Sequence, residues 1–168
     1  MSEREAWEVV DGRAMSVFEI YIKTTPERLW EAITDPELRK KYNFGVGVES
    51  DWTAGSEYRS EAGGGFAIAA GENLEVEPPR RLVQSFQALW SEDVKAAGHS
   101  RVTWEIEPVG DSCRLVVTHD QLPEGANSEL FGGWGMILSG LKTLLETGET
   151  LTTPGSLRYA EAAGGWDG

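Results

Sequence analysis

SELFGGWGMILSGLKTLLETG, residues 128–148, is the longest segment of the 168-residue chain with a helical period. At 100° per residue, Leu130, Phe131, Trp134, Ile137, Leu138, Leu141, Leu144 and Leu145 share one broad arc. Met136, Ser139, Thr143 and Glu146 fall on the other side. A long helix late in the chain, after a run of strand-like segments, needs a curved sheet to receive its apolar face. Gly132, Gly133, Gly135 and Gly140 lie off the centre of the arc, and a glycine inside a helix costs about 1 kcal/mol relative to alanine. Two explanations stand: an irregular, mobile first turn that would form the mouth of a cavity, or close approach by another backbone, a second subunit included.

The strands come earlier. Val17–Lys23 alternates, with Phe18, Ile20 and Ile22 on one face. Thr24-Thr25-Pro26-Glu27 then carries the signals of a helix start: a hydroxyl to cap free N–H groups, proline at the first position and an acid at the positive end of the dipole. Asp35-Pro36-Glu37 repeats them, so two short helices follow the first strand. From Val46 to Gln121 the chain reads as six strands: Val46–Asp51, Ser56–Ser60, Phe66–Glu77, Arg81–Trp90, His99–Pro108 and Ser112–Gln121. Tight turns between consecutive strands predict an antiparallel meander, because parallel strands need long crossovers. Val102, Trp104 and Ile106 oppose Thr103, Glu105 and Glu107, and Leu115, Val117 and His119 oppose Arg114, Val116 and Thr118. One face is therefore apolar and the other charged. Residues 1–14 read as an extended lead-in, 15–150 as one domain and 151–168 as a loose tail.

Composition bounds the function. The net charge is −13 and the pI near 4.5, which argues against binding nucleic acid, where Lys and Arg must neutralise phosphates, and against an anionic membrane surface. Cys113 is the sole cysteine, so an intrachain disulfide is impossible. A secretory leader is not seen, and no apolar run approaches the roughly 18 residues of a membrane span; the expectation is a cytoplasmic protein.

Few residues suggest chemistry. By alternation Glu72 joins Leu74 and Val76 on the apolar face, Gln84 joins Leu82 and Phe86, and His119 joins Val117. A cavity with a few convergent polar groups is how small-molecule sites look; the competing reading is that these are satisfied core polars. His119 and Asp120 are adjacent on a strand and point to opposite faces. His99 and Cys113 complete no zinc-ligand spacing, so no metal is expected. The Gly132-Gly133-Trp134-Gly135 run follows no strand and fails the dinucleotide spacing at Leu138, and no nucleophile elbow is present. No cofactor is expected.

A strand, two short helices, a six-strand antiparallel run and a long C-terminal helix resemble the helix-grip order of the START/Bet v 1-like (SRPBCC) superfamily. The branch most resembled is the C-terminal domain of the activator of Hsp90 ATPase. The residues carrying the likeness are 24–38 (TTPERLWEAITDPEL), 74–83 (LEVEPPRRLV), 102–106 (VTWEI), 115–119 (LVVTH) and 134–145. The resemblance implies an α+β fold, a curved antiparallel sheet wrapped around a long C-terminal helix, with an apolar cavity between them and no shared catalytic set. The positions expected to line that cavity are Trp30, Tyr58, Phe66, Glu72, Gln84, Phe86, Trp104, His119, Trp134, Leu138 and Leu141. The expected function is non-enzymatic carriage or sensing of a small apolar molecule. The alternatives are a cyclase- or hydrolase-type enzyme using His119 with Glu72, and an Hsp90-activator-like interaction module. The short lead-in, where the activator has a separate N-terminal domain, argues against a chaperone partner; a homodimer stays open.

Overall fold

The computed structural model describes residues 7–10, 13–43, 45–61, 67–89, 92–96, 98–122 and 133–152. Eight antiparallel strands form one sheet: β1 (Trp7–Val10), β2 (Arg13–Ile22), β3 (Gly47–Ser50), β4 (Glu57–Glu61), β5 (Ala67–Glu77), β6 (Arg81–Ala88), β7 (His99–Val109) and β8 (Ser112–Leu122). Their spatial order is β1-β2-β8-β7-β6-β5-β4-β3. Strands β3 to β8 are the expected meander, and β2 closes onto β8 in register from Val17↔Thr118 to Ile22↔Cys113. Helices α1 (Pro26–Thr34) and α2 (Pro36–Tyr42) join β2 to β3, α3 (Glu92–Ala96) joins β6 to β7, and α4 (Trp134–Thr147) follows β8. This is the helix-grip α+β fold.

Local chemistry accounts for the helix pair. Thr25 Oγ1 accepts from the Arg28 N–H at 3.2 Å, capping α1. Asp35 serves both helices. Its backbone N–H closes α1 on Glu31 O, while its carboxylate accepts from the N–H groups of Glu37 at 2.9 Å and Leu38 at 3.0 Å to open α2. Tyr42 at the end of α2 returns to α1 by donating to Ala32 O at 2.6 Å; burial pushes its phenol up to about 12.

The sheet's two faces differ as alternation predicts. Val102, Trp104, Ile106, Leu115, Val117 and Ile22 face the helices and are buried. The outer face carries cross-strand ion pairs: Arg81 with Glu75 and Glu105, Arg101 with Asp120, and Arg114 with Glu19 and Glu107. These exposed pairs contribute little stability each.

Two expectations are corrected, and a third falls partly outside the described residues. Residues 7–10 are a strand pairing with β2, from Trp7↔Ser16 to Val10↔Arg13; four residues are too short to show a period. In β5 the register shifts between Asn73 and Glu75. That bulge inserts a residue and inverts the alternation upstream. Asn73 is consequently buried on the inner face with Val76, whereas Glu72 and Leu74 are exposed. Finally, the described part of the last helix begins at Trp134, with Gly133 as N-cap and no side-chain cap bond; residues 128–132 lie outside the described residues.

Gly140 of α4 is explained within the chain. A Cβ on Gly140 would stand 3.1 Å from Tyr42 Cβ and 3.5 Å from Tyr42 Cα, so α4 and α2 cross here with little between their backbones. Gly135 faces open space, with nothing within 4 Å of a built Cβ.

Candidate ligand site on the inner face

The inner face divides in two. Beneath α4, Trp134, Leu138, Leu141 and Leu144 pack with Trp104, Leu115 and Val117 in one buried cluster. The Trp104 and Trp134 rings meet edge to face with centroids 5.4 Å apart, a geometry that aromatic quadrupoles favour. Five of the expected cavity residues (Trp104, His119, Trp134, Leu138 and Leu141) are thereby parts of a packed core, each at most 8 % exposed.

His119 is fully buried there, and both its ring nitrogens are engaged. Trp134 Nε1–H donates to Nδ1 at 3.2 Å. Indole is a donor only, so Nδ1 is the unprotonated nitrogen and Nε2–H donates to Ser100 Oγ at 2.7 Å. Ser100 in turn reaches the Phe86 carbonyl at 3.4 Å. Burial lowers the His119 pKa to about 4, only partly opposed by the neighbouring Asp120. A neutral imidazole that pins the first turn of α4 to β7 and β8 is poorly suited to proton transfer at neutral pH. Glu72 lies exposed on the opposite face, three strands away and therefore about 14 Å off. The expected His119–Glu72 pair does not form.

The other half, over β3 to β6, is built differently. Asn73 accepts from Gln84 Nε2 at 3.0 Å and donates to Ser50 Oγ at 2.8 Å and Ser56 Oγ at 3.1 Å. Next to it, Tyr58 lies across Gly71 and donates to Ser85 O at 2.7 Å. A Cβ on Gly71 would meet Ser85 O at 2.1 Å and Tyr58 Cε1 at 2.8 Å, so glycine is required. Burial pushes the Tyr58 phenol up, against a smaller opposing pull from Arg39. Beside this polar floor an open groove of about 650 Å³ runs along Pro36, Val48, Glu49, Ser50, Asp51, Trp52, Ser56 and Glu57. Trp52 is held at a left-handed φ of 55° and packs, half-buried, against the core. Phe86 and Trp30 are also half-buried against it. Phe66 lies outside the described residues.

Sequence reasoning thus placed Tyr58, Gln84 and Phe86 on the inner face, misplaced Glu72, and missed Asn73, Ser50, Ser56 and Arg39. A detectable signal existed for Arg39. It precedes the buried Tyr42 by three residues and so shares its side of α2. Among the described residues no group of three or more His, Cys, Asp or Glu could hold a metal ion, and no helix is long and apolar enough to cross a membrane.

Residues 23–146, from the end of β2 to the last turn of α4, match the family of Activator of Hsp90 ATPase homolog 1-like proteins. The chain belongs to that family. No curated protein sequence matches it. Among solved structures it is similar to CalU16 from Micromonospora echinospora, at 21 % identity and TM-score 0.67, covering 96 % of this chain and 92 % of that one. An HSP90 activator from Plasmodium falciparum is similar at 25 % identity and TM-score 0.61, covering 77 % and 95 %. The Aha1 dimer from Colwellia psychrerythraea follows at 19 % and 0.63, covering 80 % and 97 %.

Proposed function

We propose that the protein binds a small, largely apolar molecule on the inner face over β3 to β6, as a carrier or sensor that performs no reaction itself. The observation that carries this reading is the division of the inner face. Among the described residues one half carries the buried cluster under α4, while the edge at β3 and β4 keeps a groove of about 650 Å³, within the range of small-molecule sites, beside half-buried Trp52 and a polar floor whose members satisfy one another. Trp52 and Val48 offer apolar surface, and the Ser50 and Ser56 hydroxyls, held by Asn73, offer fixed polar groups that orient a ligand. The family's fold commonly accommodates hydrophobic ligands, which supports the same reading.

A ligand at a hundred times its Kd adds about 2.7 kcal/mol of stability, which for this chain length raises Tm by about 5–10 °C. A panel of fatty acids, flavonoids and polyketide-like aromatics, read by Tm and tryptophan fluorescence, tests the reading. At least one class is expected to raise Tm by that amount, and Trp52→Ala to abolish the rise; a panel without effect on either signal overturns it.

The family match and the HSP90 activator among the similar structures favour a second reading, a chaperone-binding module. Stimulation of Hsp90 ATPase by the purified protein would support it, and an unchanged rate would remove it.

A further inference from the structure

The turn that joins β3 to β4 is held by a single residue of another strand. Within it Trp52 stands at a left-handed φ of 55°, an outlier for a bulky residue that persists only where the surroundings over-determine it. Asn73 of β5 is fully buried against this turn. Its Nδ2 donates to Ser50 Oγ at 2.8 Å and to Ser56 Oγ at 3.1 Å. Its backbone N–H donates to Ser56 O at 2.8 Å, and its carbonyl accepts from the Gly55 N–H at 2.7 Å. The two serines carry the restraint onward: Ser50 Oγ accepts from the Trp52 N–H at 3.1 Å, and Ser56 Oγ from the Thr53 N–H at 3.2 Å. Gln84 fixes the amide from the far side by donating to Asn73 Oδ1 at 3.0 Å.

Three local departures from regular structure meet at this turn. The bulge between Asn73 and Glu75 interrupts the β5–β6 ladder and leaves Leu74 44 % exposed. A buried amide stands where an apolar side chain would pack, and Trp52 is held away from the ordinary backbone regions. Bulges re-aim side chains beside functional sites, strained residues gather at ligand clamps, and a sequence breaks local rules together where function requires it. We infer that Asn73 is a positioning residue for the ligand, which sets the turn so that Trp52 is fixed in the groove wall before the ligand arrives. The inference rests on the ligand-site reading above. Trp52 both packs against the core and lines the groove. An indole already fixed there needs no ordering when the ligand binds. A turn free to relax would hold the competent form only part of the time, and the apparent affinity would fall by that fraction.

The test titrates dodecanoate, quercetin and emodin, one from each class of the panel, together with the panel compound that raises Tm most, against the whole protein by calorimetry, and follows hydrogen exchange at the amides of the turn. Asn73→Leu keeps the bulk of the side chain and removes its donors. It should weaken whichever probe the wild type binds by about tenfold or more, and speed exchange of the Trp52 and Thr53 amides while those of β7 and β8 stay as they were. Ile106→Val, on β7 three strands from β4, lowers stability without touching the turn and should bind within about twofold of the wild type. Ser50→Ala and Ser56→Ala cut the same bonds one at a time, with the same two effects expected, and carry the test if the Leu variant fails to fold. Wild-type affinity in the turn variants, unchanged exchange at Trp52 and Thr53, or an equal loss of affinity in Ile106→Val overturns this inference and leaves the site standing. A wild-type protein that binds none of the probes and no other member of the panel overturns the site and this inference together.

Discussion

His119 behaves as a structural joint, and that has a consequence for pH. Its folded pKa is depressed to about 4 from the 6.5 of a free imidazole, with burial the main cause. Between pH 6.5 and 4 the unfolded chain takes up a proton that the folded chain refuses, so stability present above pH 6.5 is lost as pH falls, by about 3 kcal/mol in all. His119→Gln should flatten the wild-type decline of Tm over this window; an identical slope in the two proteins would refute the assignment. Gly71→Ala, which drives a Cβ into Ser85 O, should cost about 1–3 kcal/mol and loosen Tyr58; unchanged stability in urea would refute that account. Alternation alone placed His119 and Gln84 on the inner face, because β6 and β8 each pair with β7 through these positions without a shift. It failed at Glu72 because one inserted residue in β5 reverses every side chain upstream, and no composition cue marks the place.

At the level of elements, the two capping signals in Thr24–Glu27 and Asp35–Glu37 became α1 and α2 with the expected donors and acceptors, since caps are local chemistry. Strand β1 was not legible: its pairing is decided by β2 and not by its own four residues. The glycines of α4 read as weak points but differ in cause. Gly135→Ala, in open space, should stabilise by about 1 kcal/mol and raise Tm by about 2–4 °C. Gly140→Ala carries the same helical gain but must part α4 from Tyr42, so it should fall below Gly135→Ala and show no net rise. Equal gains at both positions would contradict a tight α2–α4 crossing. Helical period revealed which face of α4 is buried, but not that Gly140 lies on it.

Across the whole molecule, meander order and one-sided polarity were legible because they depend on neighbours in sequence. The groove at β3 and β4 was not, because it depends on where α2 meets the sheet edge. The ligand was expected beneath α4, and the arrangement favours a site displaced toward β3 and β4, with α4 as part of the packed core. The most direct measurement is a map of amide chemical shifts during titration with the panel compound that raises Tm most. The expected result is saturable shifts concentrated at Val48, Ser50, Trp52, Ser56 and Tyr58, with Leu138 to Leu144 little changed. Shifts concentrated along α4 and absent from β3 and β4 would contradict it.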